Sequence, residues 1–182
     1  MMKILKWIVP GFASAVLASC QLAPQGLERD NTIISYKALQ TADFVCNCEQ
    51  VRLGGKVIRA TALAQQTEIE VLSMAVDRFT AKPILASQSD GRFIAVLNGF
   101  VDPLSLQDQY ITVKGILSGR QDGKIDQAQY VYPKIKVEDY HIWQQVIEYY
   151  YDEDEWADYW EGRRYGRFFG PIPTRYPRPA LR

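Results

Sequence analysis

One histidine, three cysteines and no apolar run of spanning length beyond the N-terminal segment are the scarcities that bound this chain. A lone imidazole, His141, removes any triad that needs a second His and any multi-histidine metal site. Beside Tyr140 and Trp143 it reads as a surface or partly packed side chain. A phosphate-binding loop is missing too, since Gly54-Gly55 lacks the Lys-Ser/Thr that follows in such loops. Carboxylates are plentiful, but no spacing sets one pair apart as acid and base. No catalytic residue, no metal and no cofactor is therefore expected, and the chain is read as a non-enzyme. Net charge is absent as well: 21 basic side chains balance 21 acidic ones. A non-specific nucleic-acid binder needs clustered Lys and Arg to displace phosphate counterions, so no nucleic-acid partner is expected.

What is present begins with an address. Lys3 and Lys6 precede an apolar or small stretch over 7–18 (WIVPGFASAVLA), the charged and hydrophobic regions of a secretory signal, too short to span a bilayer comfortably. It ends in Leu17-Ala18-Ser19-Cys20, which resembles a lipobox. The resemblance implies cleavage before Cys20 by signal peptidase II, a thioether-linked diacylglycerol on its sulfur, and acylation of the new amine, with palmitate as a label. Each buried methylene contributes about 0.8 kcal/mol and one myristoyl chain alone is marginal, so two or three chains make a persistent anchor. Loss of residues 1–19 removes Lys3 and Lys6 and leaves 19 basic against 21 acidic side chains. In the sorting pattern that this resembles, Asp after the lipidated cysteine retains a lipoprotein in the inner membrane. Gln21 stands there instead, so the expected place is the outer membrane, on its periplasmic side.

The rest divides by composition. Residues 20–44 are polar with scattered apolar positions and read as a lipidated tether, with room for a docked strand or turn around Ile33 to Leu39. Residues 45–144 read as the folded β domain, and residues 145–182 as an aromatic, charged extension. Five short runs rich in Val, Ile and Tyr, at 51–61, 67–76, 92–98, 109–118 and 127–137, are punctuated by Gly, Asp and Asn. In the second run the apolar parity changes after Val71, from Ile69 and Val71 to Leu72, Met74 and Val76. In the fifth it changes at Pro133, from Tyr130 and Tyr132 to Ile135 and Val137. Bulges at these points would keep both sets inside. With Gly54-Gly55 and Gly115 allowing tight bending, the expectation is a mainly β fold, a small five-stranded OB-like barrel. A small β-sandwich is the alternative.

With Cys20 lipidated, Cys46 and Cys48 remain as a pair in an oxidising compartment. In an extended strand their Cα atoms would lie about 6.6 Å apart, near the upper limit for a bridge. An intrachain disulfide, free thiols and an intermolecular bridge all stay open. Residues 140–182 hold 12 of the 22 aromatic residues. Seven acids fall within 148–161 with no base, and six arginines within 162–182 with no acid. Trp143, Val146, Ile147 and Tyr150 follow helical spacing, which predicts a helix from near Tyr140, and the Gly and Pro after Gly162 predict an extended tail. The tail is either an inert segment whose charges neutralise each other or an interaction arm. In the second case Arg163, Arg164, Arg167, Tyr165, Phe168 and Phe169 would meet a lipid or lipopolysaccharide headgroup layer, an envelope protein or a glycan.

A set of short motifs then comes in order: Val51-Arg52-Leu53-Gly54-Gly55, Gly91-Arg92-Phe93, Gly99-Phe100-Val101-Asp102-Pro103, Val113-Lys114-Gly115, Gly123-Lys124-Ile125, and Tyr130-Val131-Tyr132-Pro133 with Trp143. Behind a lipobox, from about Cys20 to Trp143, this order resembles the Slp family of starvation-inducible outer-membrane lipoproteins. Two positions depart from it: Leu53 stands where a Trp is expected and Asp126 where a second Gly is expected. The resemblance implies location and fold and carries no enzymatic activity. The expected role is a non-catalytic lipoprotein in envelope maintenance or stress. A ligand- or glycan-binding module using the barrel face is the alternative, and a cleft lined with exposed aromatics would mark it.

Overall fold

The computed structural model describes residues 22–28, 32–40, 49–166 and 172–182. Cys20, Cys46, Cys48, Arg167, Phe168 and Phe169 lie outside these residues. A short helix α1 (Tyr36–Gln40) precedes β1 (Gln50–Ala62), β2 (Gln66–Met74) and β3 (Gly91–Asn98). A single-turn helix α2 (Pro103–Leu106) then leads into the long hairpin of β4 (Tyr110–Ile125) and β5 (Ala128–Trp143). These strands pair in the order β1-β2-β3-β5-β4 and back to β1, a closed barrel. Every pairing is antiparallel except β3 with β5.

Alternation fills the interior with Leu53, Val57, Ile69, Val71, Phe93, Leu97, Val113 and Ile135, all fully buried or nearly so. Three extra residues bend the sheet, and they fall where the apolar parity did not announce them. Ile58 is unpaired opposite the Val71–Glu70 step, after which Ala60 takes over the inward parity of β1. Ser118 is extra in β4 and Glu138 in β5, after which Ile142 rather than an odd-numbered residue packs inward. The bulge expected in β2 is not there: Thr67, Ile69, Val71 and Ser73 hold one parity throughout, and Leu72 and Met74 are half-buried on the other face. Nor does β5 turn both of its sets inward. Ile135 and Val137 enter the core, while Tyr130 and Tyr132 pack outside against Ile94 and Val96 of β3. Both apolar sets are covered because the barrel's outer wall carries a layer of its own.

The distal part of the β4-β5 hairpin supplies part of that layer. It turns through Asp126, whose φ of 52° is left-handed, at the position where a glycine was expected. Pro133 sits where this arm leaves the barrel, opposite Arg120 and one residue before the β3 seam starts at Lys134. The glycines act through space. A Cβ on Gly55 would run into the Leu72 carbonyl, and one on Gly115 into the Lys136 carbonyl, so neighbouring strands approach too closely for any side chain there.

The room left for a docked element around Ile33 to Leu39 is filled. Ile33 bridges to Val51 in parallel, its backbone exchanging bonds with Gln50 and Arg52, and Tyr36 and Leu39 of α1 plug the core. Ahead of it, Ala23 and Leu27 join Val76, Ala81, Trp143 and Leu181 in a second cluster on the outer wall. One buried guanidinium ties this covering down: Arg52 Nη1 donates to the Leu27 carbonyl at 2.7 Å and Nη2 to the Arg78 carbonyl at 3.0 Å.

The described residues of the C-terminal part form regular elements too. The helix expected from Tyr140 is absent, because Tyr140–Trp143 finish β5 and Gln145–Tyr151 form β6. The helix comes later, as α3 (Glu153–Arg164), and the proline-rich tail returns as β7 (Arg175–Leu181), paired along the whole of β6. Pro177 and Pro179 are tolerated by register. Gln144 and Arg182 exchange both backbone bonds, and stepping in twos from that pair leaves the prolines at positions whose nitrogens face away from β6.

Leu39→Ala should lower the unfolding free energy by about 3 kcal/mol, the usual loss for a buried leucine. Arg52→Met keeps the bulk but leaves two carbonyls without their donor, a cost of about 2 kcal/mol. Denaturant midpoints at constant m-value read both.

Candidate functional site

The aromatic extension forms a small module of its own. Asp152 caps α3 by accepting from the backbone N–H of Asp154 at 3.0 Å and of Glu155 at 3.3 Å. Acids fill its first turn, and Arg163 and Arg164 its last, as the helix dipole favours. The helix buries no residue. Its rings pack on one another instead: Trp156 lies 5.0 Å from Tyr151 and 5.8 Å from both Tyr159 and Trp160. Arginines sit on the ring faces, Arg163 over Tyr159, Arg175 over Tyr151 and Arg178 over Tyr150.

The two charge blocks neutralise each other across this module. Glu148 of β6 meets Arg182 at 3.2 Å and Arg178 at 3.8 Å. Glu155 accepts from the Thr174 backbone N–H and from the Tyr176 hydroxyl, whose proton is held more tightly by that bond. Of the expected contact residues, Arg163 is stacked, while Arg164 and Tyr165 are exposed. The exposed Trp156 and Trp160 escaped the sequence reading. Their only signal was the aromatic enrichment, since ring-on-ring packing within a helix has no strand or core periodicity.

A second feature lies on the outer face of β2 and β3, beneath the hairpin arm. There Glu68, Glu70, Arg59, Ile94 and Gln121 line an open cleft of about 190 Å³. Both carboxylates are engaged. Glu70 is ion-paired with Arg92 at 2.8 Å and with Arg59 at 3.1 Å, and Lys134 holds Glu68 at 2.7 Å. The Tyr132 hydroxyl donates to Glu70 at 3.3 Å, and burial together with that negative charge pushes its pKa up. Tyr36, its pKa also raised by burial, pairs with Tyr130 at 2.8 Å. Ligand pockets are typically about 300–1,000 Å³ and mostly apolar. This one is smaller, polar and already neutralised by its own residues, and no aromatic ring lines it.

His141 belongs to the outer-wall cluster. It packs 4.3 Å from the ring of Trp143, whose Nε1 donates to Thr112 Oγ1 at 2.9 Å, and Thr112 in turn donates to the Ala81 carbonyl at 2.6 Å. Lys82 lies over the same indole, at 5.6 Å. Among the described residues no group of three or more His, Cys, Asp or Glu could hold a metal.

Burial, and then the Lys82 charge, hold the His141 imidazole below its ordinary pKa of 6.5. The unfolded chain therefore takes up this proton before the folded one does. Stability should be steady above about pH 6.5 and decline as pH falls through that value. His141→Gln should flatten that part of the decline, read as the pH dependence of the denaturant midpoint.

A protein of Haemophilus influenzae described as uncharacterised is 48% identical over 143 residues, 78% of each chain. The uncharacterised lipoprotein YeaY of Escherichia coli is 29% identical over 94% of this chain and 93% of its own length. The outer membrane protein Slp of Escherichia coli is 28% identical over 71% of this chain and 70% of its own. No solved structure matches. The family model described as outer membrane lipoprotein Slp matches residues 17–176, which runs from Leu17 through the barrel into β7. The chain belongs to the outer membrane lipoprotein Slp family.

Proposed function

We propose that this chain is a non-catalytic lipoprotein, anchored through lipid on Cys20 in the outer membrane with its barrel on the periplasmic side, and that it serves envelope maintenance or stress. The observation that carries the reading is the extent of the family match, which begins at Leu17 and so takes in Leu17-Ala18-Ser19-Cys20 together with the folded domain. The barrel supports it from the other side. Its strand order, with a parallel seam between the third and fifth strands, favours the OB-like reading, and side chains of the described residues fill its interior. A scaffold that presents its outer surface fits this packing better than a module that encloses a ligand.

Cys20→Ser should accumulate as an uncleaved precursor that incorporates no labelled palmitate; lipidation and cleavage at the same place in that variant would end the reading. Gln21→Asp tests the destination. It should move the protein from outer- to inner-membrane fractions on a density gradient, and unchanged fractionation would remove the sorting argument.

A further inference from the structure

We infer that the turn Asp77–Lys82, with Phe79 at its tip, is a second contact with the bilayer that carries the lipid, so that the barrel is held in one orientation instead of swinging on a tether. The inference rests on lipidation of Cys20. Its first support is the length of the leash. Ala23 already packs against the cluster of Leu27, Ala81 and Trp143, and only three residue steps separate it from Cys20. An extended chain spans at most about 3.6 Å per residue, so the lipidated Cα can be no more than about 11 Å from that of Ala23. A headgroup layer is itself about 6 Å deep, being roughly half the difference between the whole bilayer and its hydrocarbon core. The outer-wall cluster is thereby confined to the membrane surface.

The second support is what this cluster displays. Asp77 Oδ1 accepts from the Phe79 N–H at 3.0 Å, the Thr80 N–H at 2.7 Å and the Thr80 hydroxyl at 2.9 Å. The Ala81 N–H bonds back to the Asp77 carbonyl at 3.0 Å, and Ala81, at φ 61°, is buried in the cluster. This braced turn leaves Phe79 69% exposed between Arg78 and Lys82. Arg52 holds the Arg78 carbonyl with one nitrogen and the Leu27 carbonyl with another, so one guanidinium fixes the turn to the leash. Leu22, one residue before Ala23, is 76% exposed, and Ile84 on the same β2-β3 connection is exposed too. A ring raised on a rigid turn and flanked by two cations matches a lipid surface. The ring enters the acyl boundary, and Arg78 and Lys82 meet phosphates and anionic headgroups. Phe100 makes the contrast: it is 73% exposed, but it follows β3 at the opposite end of the β2-β3 pair, beside the β1-β2 turn.

The test uses the full lipidated chain in vesicles of phosphatidylethanolamine and phosphatidylglycerol. Benzoylphenylalanine replaces Phe79 in one sample and Phe100 in another, with labelled palmitate followed in both. Photolysis should give a lipid adduct from position 79 and none from position 100. Arg78→Gln with Lys82→Gln should reduce the adduct at 79, as should high salt, which shortens the reach of exposed charge to about 3 Å at 1 M. Should the protein carrying the probe at 79 not accumulate, the probe at 84 repeats the measurement. Palmitate incorporation without a lipid adduct at 79 or 84, or with equal adducts at 79 and 100, would overturn the orientation and leave the anchor standing. An adduct to protein instead of lipid at 79, in native outer membranes, would overturn it in favour of a docked protein. Absence of palmitate would remove the anchor and the orientation with it.

Discussion

Three residue pairs close the barrel. Ile94 with Lys134, Ala95 with Ile135 and Val96 with Lys136 form the parallel ladder among the five barrel strands, and the other ladders between those strands are antiparallel neighbours that would exist in an open sheet. Through that seam the first three strands and the long hairpin become one wall around one core. It is short because the hairpin must both reach β3 and leave it. Ser118 is inserted opposite the Lys134–Ile135 step of the seam and Glu138 just past its end, and the strong local coil they introduce lets β5 run along β4 for its full length yet touch β3 only briefly. Beyond the seam the arm folds over the outer face of β3, where Tyr132 and Tyr130 cover Ile94 and Val96. The closure that builds the core thus also builds its outer covering.

That covering is polar where it has to be. Arg52 and Thr112 stand on the outer parity of their strands and would be solvent-facing in a bare barrel, yet both are fully buried beneath the N-terminal segment and the β2-β3 connection. Each is hydrogen-bonded to backbone carbonyls of those coverings. Buried donors of this kind do little for net stability when both partners are present, but they penalise any arrangement in which the coverings lift off. Their contribution is to fix position.

Much of the barrel was legible because strands have a local signature. The starts of β1, β2, β3 and β4 fall within a residue of where the apolar runs and Gly or Asn punctuation put them. The distal hairpin was not legible, since residues 119–125 project past the barrel and carry Arg120, Gln121, Asp122 and Lys124, the composition of a loop. The parity changes were correctly seen but wrongly explained. In sequence a second apolar face looks like a bulge, because a covered outer wall leaves no local trace. The extension misled for a related reason. Val146, Ile147 and Tyr150 happen to match helical spacing, and the partner that makes them a strand lies beyond a helix and includes two prolines. Glu148 facing Arg178 was the available clue, a pairing of opposite charge across the two blocks.

The outer-wall cluster joins Ala23 and Leu27 to Trp143 and Leu181, residues from both ends of the chain. Contacts so distant in sequence cannot form while a polypeptide is still being delivered from its N-terminus onward. Leu27 can meet Val76, Ala81 and Trp143 earlier, but the cluster is complete only once Leu181 is present. The outer wall is thereby sealed late, when the last residues of the chain meet the first described ones.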